Sequence, residues 1–151
     1  MSTDAAFLYG ITKYIDDYHL TYSSKPIYQY VNTYHNENFQ ANIINFPLLA
    51  PSLPGVSHAD ELYLQFDPLL FIPWPLSHND TLTSLHMTRY WANFIKTGNP
   101  NGNDTPVEWT PVSRDNKQYL SLNVLPSMEQ RNETYRENMQ FWSDIYPYSQ
   151  E

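Results

Sequence analysis

The sequence predicts an α/β chain, and two observations carry that reading. Helical and strand periodicities alternate along it, apolar residues recurring every three or four positions in some segments and every second position in others. The first strand candidate, "PIYQYVNTY" over 26–34, has bulky groups on both faces, as a strand covered by helices on both sides does. The inventory is thin, however. Two strands among four helical segments in 151 residues cannot shield helices of this apolar weight. Either the irregular stretches hold more sheet, or the chain is part of a larger domain.

Residues 3–18 read as a short amphipathic helix with Phe7, Leu8, Ile11 and Ile15 on one face. The polar "TYSSKP" breaks it. The strand that follows sets Ile27, Gln29 and Val31 against Tyr28, Tyr30 and Asn32. Residues 36–54 read as irregular, because the three prolines of "FPLLAPSLPG" bar a helix interior and a central strand alike. "ADELYLQF" then looks like one or two helical turns, followed by a proline-rich loop, "DPLLFIPWPLSHND". The clearest helix is "DTLTSLHMTRYWANFIKTG", with Leu85, Thr88, Trp91, Ala92 and Ile95 on one face. Asp80 or Asn79 can cap its start, Gly98 suits the left-handed position after its end, and Pro100 prevents continuation. "NPNGND" is a turn cluster and "KQYLSLNV" a strand. The last helix is "SMEQRNETYRENMQFWSDIY", with Tyr135, Met139, Trp142, Ile145 and Tyr146 on one face, stopped by Pro147.

Composition excludes several function classes. Sixteen acidic against 8 basic residues give a net charge of −8, which repels a phosphate backbone, and no Lys/Arg cluster offsets it. Nucleic acid is therefore not an expected partner. No apolar run approaches the length that crosses a bilayer. The opening "MSTDAAFLYG" lacks the charged start and apolar core of a signal peptide. Without cysteine the chain has no disulfide and no thiolate metal site. Sequons at Asn79, Asn103 and Asn132 hint weakly at secretion, since a chain this rich in Asn, Ser and Thr produces some by chance. No pattern sets an oligomeric state.

Chemistry concentrates in "LPGVSHADEL", residues 53–62. Gly55, Ser57 and Ala59 approach the G-x-S-x-G elbow that presents a serine nucleophile. That elbow needs an apolar strand running into its first glycine, and "APSLP" cannot supply one. Ser57 and His58 are also sequence neighbours, whose side chains point apart in extended or turn backbone. Ser57 thus reads as a hydrogen-bonding loop serine. His58 is the candidate general base, since an imidazole holds and releases protons near neutrality. Asp60 and Glu61 read as caps of the short helix that follows His58, where negative charge at an N-terminus is favourable. With no H-E-x-x-H and no second histidine at ligand spacing, no metal or other cofactor is expected. His19, His35, His78 and His86 read as ordinary surface or boundary residues.

Taken together, these segments resemble the type-B carboxylesterases, the cholinesterase and insect esterase group. "GVSHADELYLQF" looks like that family's catalytic-histidine segment, and "KPIYQYVNTY" is similar to the sheet strand before it. "MTRYWANFIKTGNPN" is similar to the helix and turn after it, "VEWTPVSRDNKQYLSLN" to the Trp-Pro turn and strand, and "QFWSDIYPY" to the C-terminal helix. The resemblance implies that residues 1–151 form the C-terminal segment of a carboxylesterase domain, the late strands of an α/β-hydrolase fold. It assigns His58 as the catalytic base and Glu61 as an acidic position supporting it; Phe71 and Trp74 would lie near the substrate pocket. It also implies a small-molecule ester as substrate and a secreted, extracellular setting. The elbow serine, the oxyanion-hole glycines and the acidic triad member belong to earlier parts of that fold, so this chain alone is expected to be inactive. Ala59 stands where many members have glycine. The absence of cysteine moves the likeness from cholinesterases toward general insect-type esterases. The alternative function is a non-catalytic adhesion or binding domain of the same fold.

Overall fold

A computed structural model describes residues 7–35, 55–56, 60–66 and 76–146. Its helices are α1 (Tyr9–Lys13), which runs on through a π-helical stretch (Tyr14–His19) into α2 (Leu20–Tyr22), then α3 (Leu62–Gln65), α4 (His78–Thr97) and α5 (Glu133–Ile145). The strands are β1 (Tyr30–Asn32), β2 (Gln118–Leu122) and β3 (Ser127–Gln130), in the order β1-β2-β3. β1 and β2 run parallel, Tyr30 opposite Leu120 and Asn32 opposite Leu122. Two compact units are present. One gathers the described residues of Met1–Gln29, Thr110–Tyr119 and Glu129–Glu151; the other gathers those of Tyr30–Trp109 and Leu120–Met128.

In the second unit, α4 is the organising element. Ser77 caps it, two positions before the earliest residue expected to do so. The Asp80 N–H donates to Ser77 Oγ at 3.1 Å, and the Ser77 N–H returns a bond to Asp80 Oδ2 at 2.7 Å, so both ends of the capping box are closed. At the other end Gly98 takes the left-handed conformation at φ 77°, as its sequence position suggests, and its N–H reaches the Phe94 carbonyl.

The buried face of α4 is not the expected one. Asp80, Thr83, Met87 and Tyr90 are buried, whereas Leu85 is 41% and Ile95 80% exposed. The inward polar groups are bonded: Thr83 Oγ1 donates to the Asn79 carbonyl, and Asp80 accepts from Ser77 and from Tyr34. Bonded in this way, they lose little by burial.

Rings close this unit's core. Tyr30 meets Trp91 edge-on at 4.9 Å, Tyr90 meets Trp109 edge-on at 5.6 Å, and the two tryptophans lie 5.8 Å apart. The side chain of Asn101 ties the "NPNGND" turn to Trp109. Asn101 Nδ2 donates to the Trp109 carbonyl at 2.9 Å, and the Trp109 N–H donates to Asn101 Oδ1 at 2.7 Å. The "KQYLSLNV" strand is present as β2, whose Gln118, Leu120 and Leu122 are buried while Tyr119 and Ser121 are half-buried.

The first unit pairs the N-terminal helix with α5. The helix runs on past its expected end at 18, to Tyr22, while residues 3–6 of the expected span lie outside the described residues; its buried residues are Thr12 and Ile15, and Phe7 and Ile11 are exposed. Thr12 and Tyr135 share a hydrogen bond of 2.5 Å, and the Tyr9 hydroxyl donates to the Tyr146 carbonyl. Arg131 is the buried centre. It donates twice to Asp16, at 2.9 and 3.1 Å, twice to Gln29 Oε1, at 2.7 and 3.2 Å, and lies over the Tyr135 ring.

The last helix starts later than its periodicity suggests. Residues 127–130 form β3, and Asn132 caps α5 by accepting from the Tyr135 N–H at 2.9 Å. Tyr135, Met139 and Trp142 are half-buried as expected, while Ile145 and Tyr146 are exposed.

Candidate active site

His58 lies outside the described residues, as do Ser57, Ala59, Phe71 and Trp74. The structure does show how the chain on either side of 57–59 is held, all within the second unit.

Upstream, β1 runs into Tyr34 and His35. The Tyr34 hydroxyl donates to Asp80 Oδ1 at 2.6 Å, fastening the end of the strand to the first turn of α4. Burial first, and then the Asp80 carboxylate, keep that hydroxyl protonated, its pKa pushed up to about 12. His35 Nδ1 lies 2.7 Å from the Gly55 carbonyl oxygen. A carbonyl only accepts, so Nδ1 carries the proton and donates. Gly55 has φ 128°, a backbone that residues with a Cβ resist.

Downstream, Glu61 occupies the N-cap position of α3, and its carbonyl accepts from the Leu64 N–H at 3.0 Å. Its side chain makes no capping bond, which corrects the role of cap expected for it. The Tyr30 hydroxyl is held above its ordinary pKa by burial, with the Glu61 carboxylate adding to the effect. The second anchor is Ser84 of α4, whose hydroxyl donates to the Leu64 carbonyl at 2.5 Å. Leu64 itself is buried. The chain flanking His58 is therefore tied down on both sides, to β1 through His35 and to α4 through Ser84.

His86 of α4 is half-buried, its ring is near the Val124 backbone, and its buried Nδ1 has no hydrogen-bond partner among the described residues. Burial and the nearby Arg89 lower its pKa, partly offset by the Val124 contact. In the first unit a cavity of about 270 Å³ is lined by Lys13, Asp16, Asp17, Lys117, Arg131 and Arg136, among others. Asp16 pairs there with Lys117 and Arg131, and Lys13 with Asp17. Among the described residues that line it there is no histidine. Among the described residues no group of three or more His, Asp or Glu could hold a metal ion, and no helix is long and apolar enough to cross a membrane.

Sequence reasoning passed over His35 and Ser84. Twenty residues separate each from its partner, and neither sits in a motif. The one signal in reach was Gly55 itself, since a glycine suits a backbone conformation that other residues resist, here φ 128°.

Comparison with known proteins gives the family of this arrangement. The model of the carboxylesterase family matches residues 1–142. Carboxylesterase 5A of Mus musculus is 33% identical over 132 residues, which cover 83% of this chain and 21% of that protein. Acylcarnitine hydrolase of Rattus norvegicus is 32% identical over 130 residues, covering 85% and 21%. The chain thus spans about a fifth of the length of these curated relatives. Among solved structures, a PNB esterase superposes with a TM-score of 0.57 at 21% identity, over 76% of this chain and 22% of that one. That likeness concerns the fold alone, and the fold is part of an α/β-hydrolase.

Proposed function

The chain belongs to the carboxylesterase family, and we propose that it is the C-terminal segment of a type-B carboxylesterase domain that hydrolyses small carboxylic esters, with His58 as its general base. The observation that carries the proposal is the family match over residues 1–142, which includes "GVSHADEL". The names of the relatives, a carboxylesterase and an acylcarnitine hydrolase, agree with an ester as substrate.

The reaction assigned to the whole enzyme is acyl transfer through a serine supplied by an earlier part of the fold. His58 accepts the serine proton as the hydroxyl attacks the ester carbonyl, then returns it to the departing alcohol. The same imidazole next deprotonates the water that releases the acid. Glu61, whose charge reaches Tyr30, belongs to the supporting set rather than to the reacting atoms. Secretion and glycosylation form part of this reading, since Asn79, Asn103 and Asn132 are all exposed. The capping bond of Asn132 uses Oδ1 and leaves Nδ2, the atom a glycan takes.

The test is His58→Ala in the full-length enzyme carrying this segment, assayed on a p-nitrophenyl ester. The expected kcat falls by a factor on the order of 10⁴ to 10⁶. Turnover close to wild type would remove His58 from the mechanism.

A further inference from the structure

We propose that His35 is a positioning residue for catalysis: its Nδ1–H, just past the end of β1, holds the carbonyl of Gly55, three residues before His58. The inference rests on the reading of His58 as general base.

The local geometry makes this bond consequential. His35 immediately follows Tyr34, whose ring is buried and whose hydroxyl is fixed on Asp80, so the backbone that presents the imidazole is itself anchored. Gly55 is the third residue before His58. A glycine at φ 128° has no Cβ to restrict it, and among the described residues nothing lies within 4 Å of where one would be. Its peptide orientation therefore depends on what holds its carbonyl, and the 2.7 Å bond from His35 does so. On the other side, Ser84 fixes Leu64, six residues after His58. A general base must sit within hydrogen-bond reach of the proton it takes, and a displacement on the order of 1 Å costs about 10²-fold in rate.

Side-chain geometry supplies a graded test. Asparagine can place its Nδ2 amide where the histidine Nδ1 lies, so His35→Asn keeps a donor there. His35→Asp has the same outline but sets an acceptor against the carbonyl, and His35→Ala removes the contact. In the full-length enzyme, His35→Ala and His35→Asp are expected to lower kcat by about 10- to 100-fold with KM changed less than about twofold, and His35→Asn to recover most of kcat. A purely structural role would make Asn and Asp equally harmful, or move KM and kcat together; either result overturns the proposal. So does an unchanged kcat in His35→Ala.

A second readout needs no turnover. In the 151-residue chain, imidazole ¹⁵N shifts should report His35 as the Nδ1–H tautomer. The Nε2–H tautomer cannot donate to Gly55 and would overturn the geometry. If His58→Ala keeps full activity, the reading of His58 fails whatever His35 does. If His58→Ala is inactive while His35→Ala is silent, only the inference about His35 fails.

Discussion

Replacing Tyr34 by phenylalanine removes one oxygen from a buried pair and tests how β1 is fastened to α4. Tyr34 is 8% exposed and Asp80 1%, and their 2.6 Å bond joins a hydroxyl to a carboxylate that also closes the helix cap. Leaving that carboxylate oxygen buried without its donor costs about 1–3 kcal/mol. The pH dependence gives a sharper signature. The folded hydroxyl has its pKa raised from 10.0 to about 12. Its contribution is therefore complete below pH 10, where both states hold the proton, and is lost as the pH rises through the folded value. Near pH 11 the unfolded tyrosine is largely ionised and the folded one is not, so about 1 kcal/mol of the wild-type advantage is gone. Urea unfolding of wild type and Tyr34→Phe, followed by tryptophan fluorescence at about pH 8 and about pH 11, measures both quantities. The gap between the proteins should be about 1–3 kcal/mol at the lower pH and shrink by about 1 kcal/mol at the higher. A gap that is absent at the lower pH, or that does not shrink, refutes the reasoning. Because the comparison is between variant and wild type, the ionisation of the other tyrosines cancels.

Two further perturbations follow from buried groups. His86 has a folded pKa below its ordinary 6.5, so wild-type stability is complete above 6.5 and falls as acid protonates the unfolded state first. His86→Leu removes that term, and the acid limb of thermal midpoints, measured from neutrality downward, should be shallower in the variant; parallel curves would refute this. Arg131→Ala strips Asp16 and Gln29 of their buried partner and should cost about 3–5 kcal/mol in urea unfolding followed by circular dichroism. A loss under about 1 kcal/mol would show that Lys117, which also reaches Asp16, suffices alone.

Helix α4 was legible in sequence at its end, because Gly98 and Pro100 act through backbone rules that need no partner. Its buried face was not, because Asp80 and Thr83 are buried on the strength of bonds to Tyr34, Ser77 and Asn79. A pattern that scores only apolar side chains instead selects Leu85 and Ile95, which face solvent. Likewise Ser127–Gln130 has no local preference against helix; it is a strand because β2 lies beside it. The mark at Asn132, a capping residue inside the expected helix, was present and is where α5 begins. For the candidate site, "GVSHADEL" was readable through family likeness. The ties at Gly55 and Leu64 were not, since each joins residues twenty apart through one side-chain bond.

The Asn101 amide presents to Trp109 the same donor and acceptor that a peptide group in a neighbouring strand would. One rung of a ladder is thus built from a side chain, and the two ends of the turn are closed without a second strand. Inserted residues between Gly102 and Glu108 would lengthen a loop already shut at its neck, at a cost that grows only with the logarithm of its length. The asparagine, through its two bonds to Trp109, is then what would keep the neck of such a longer loop closed.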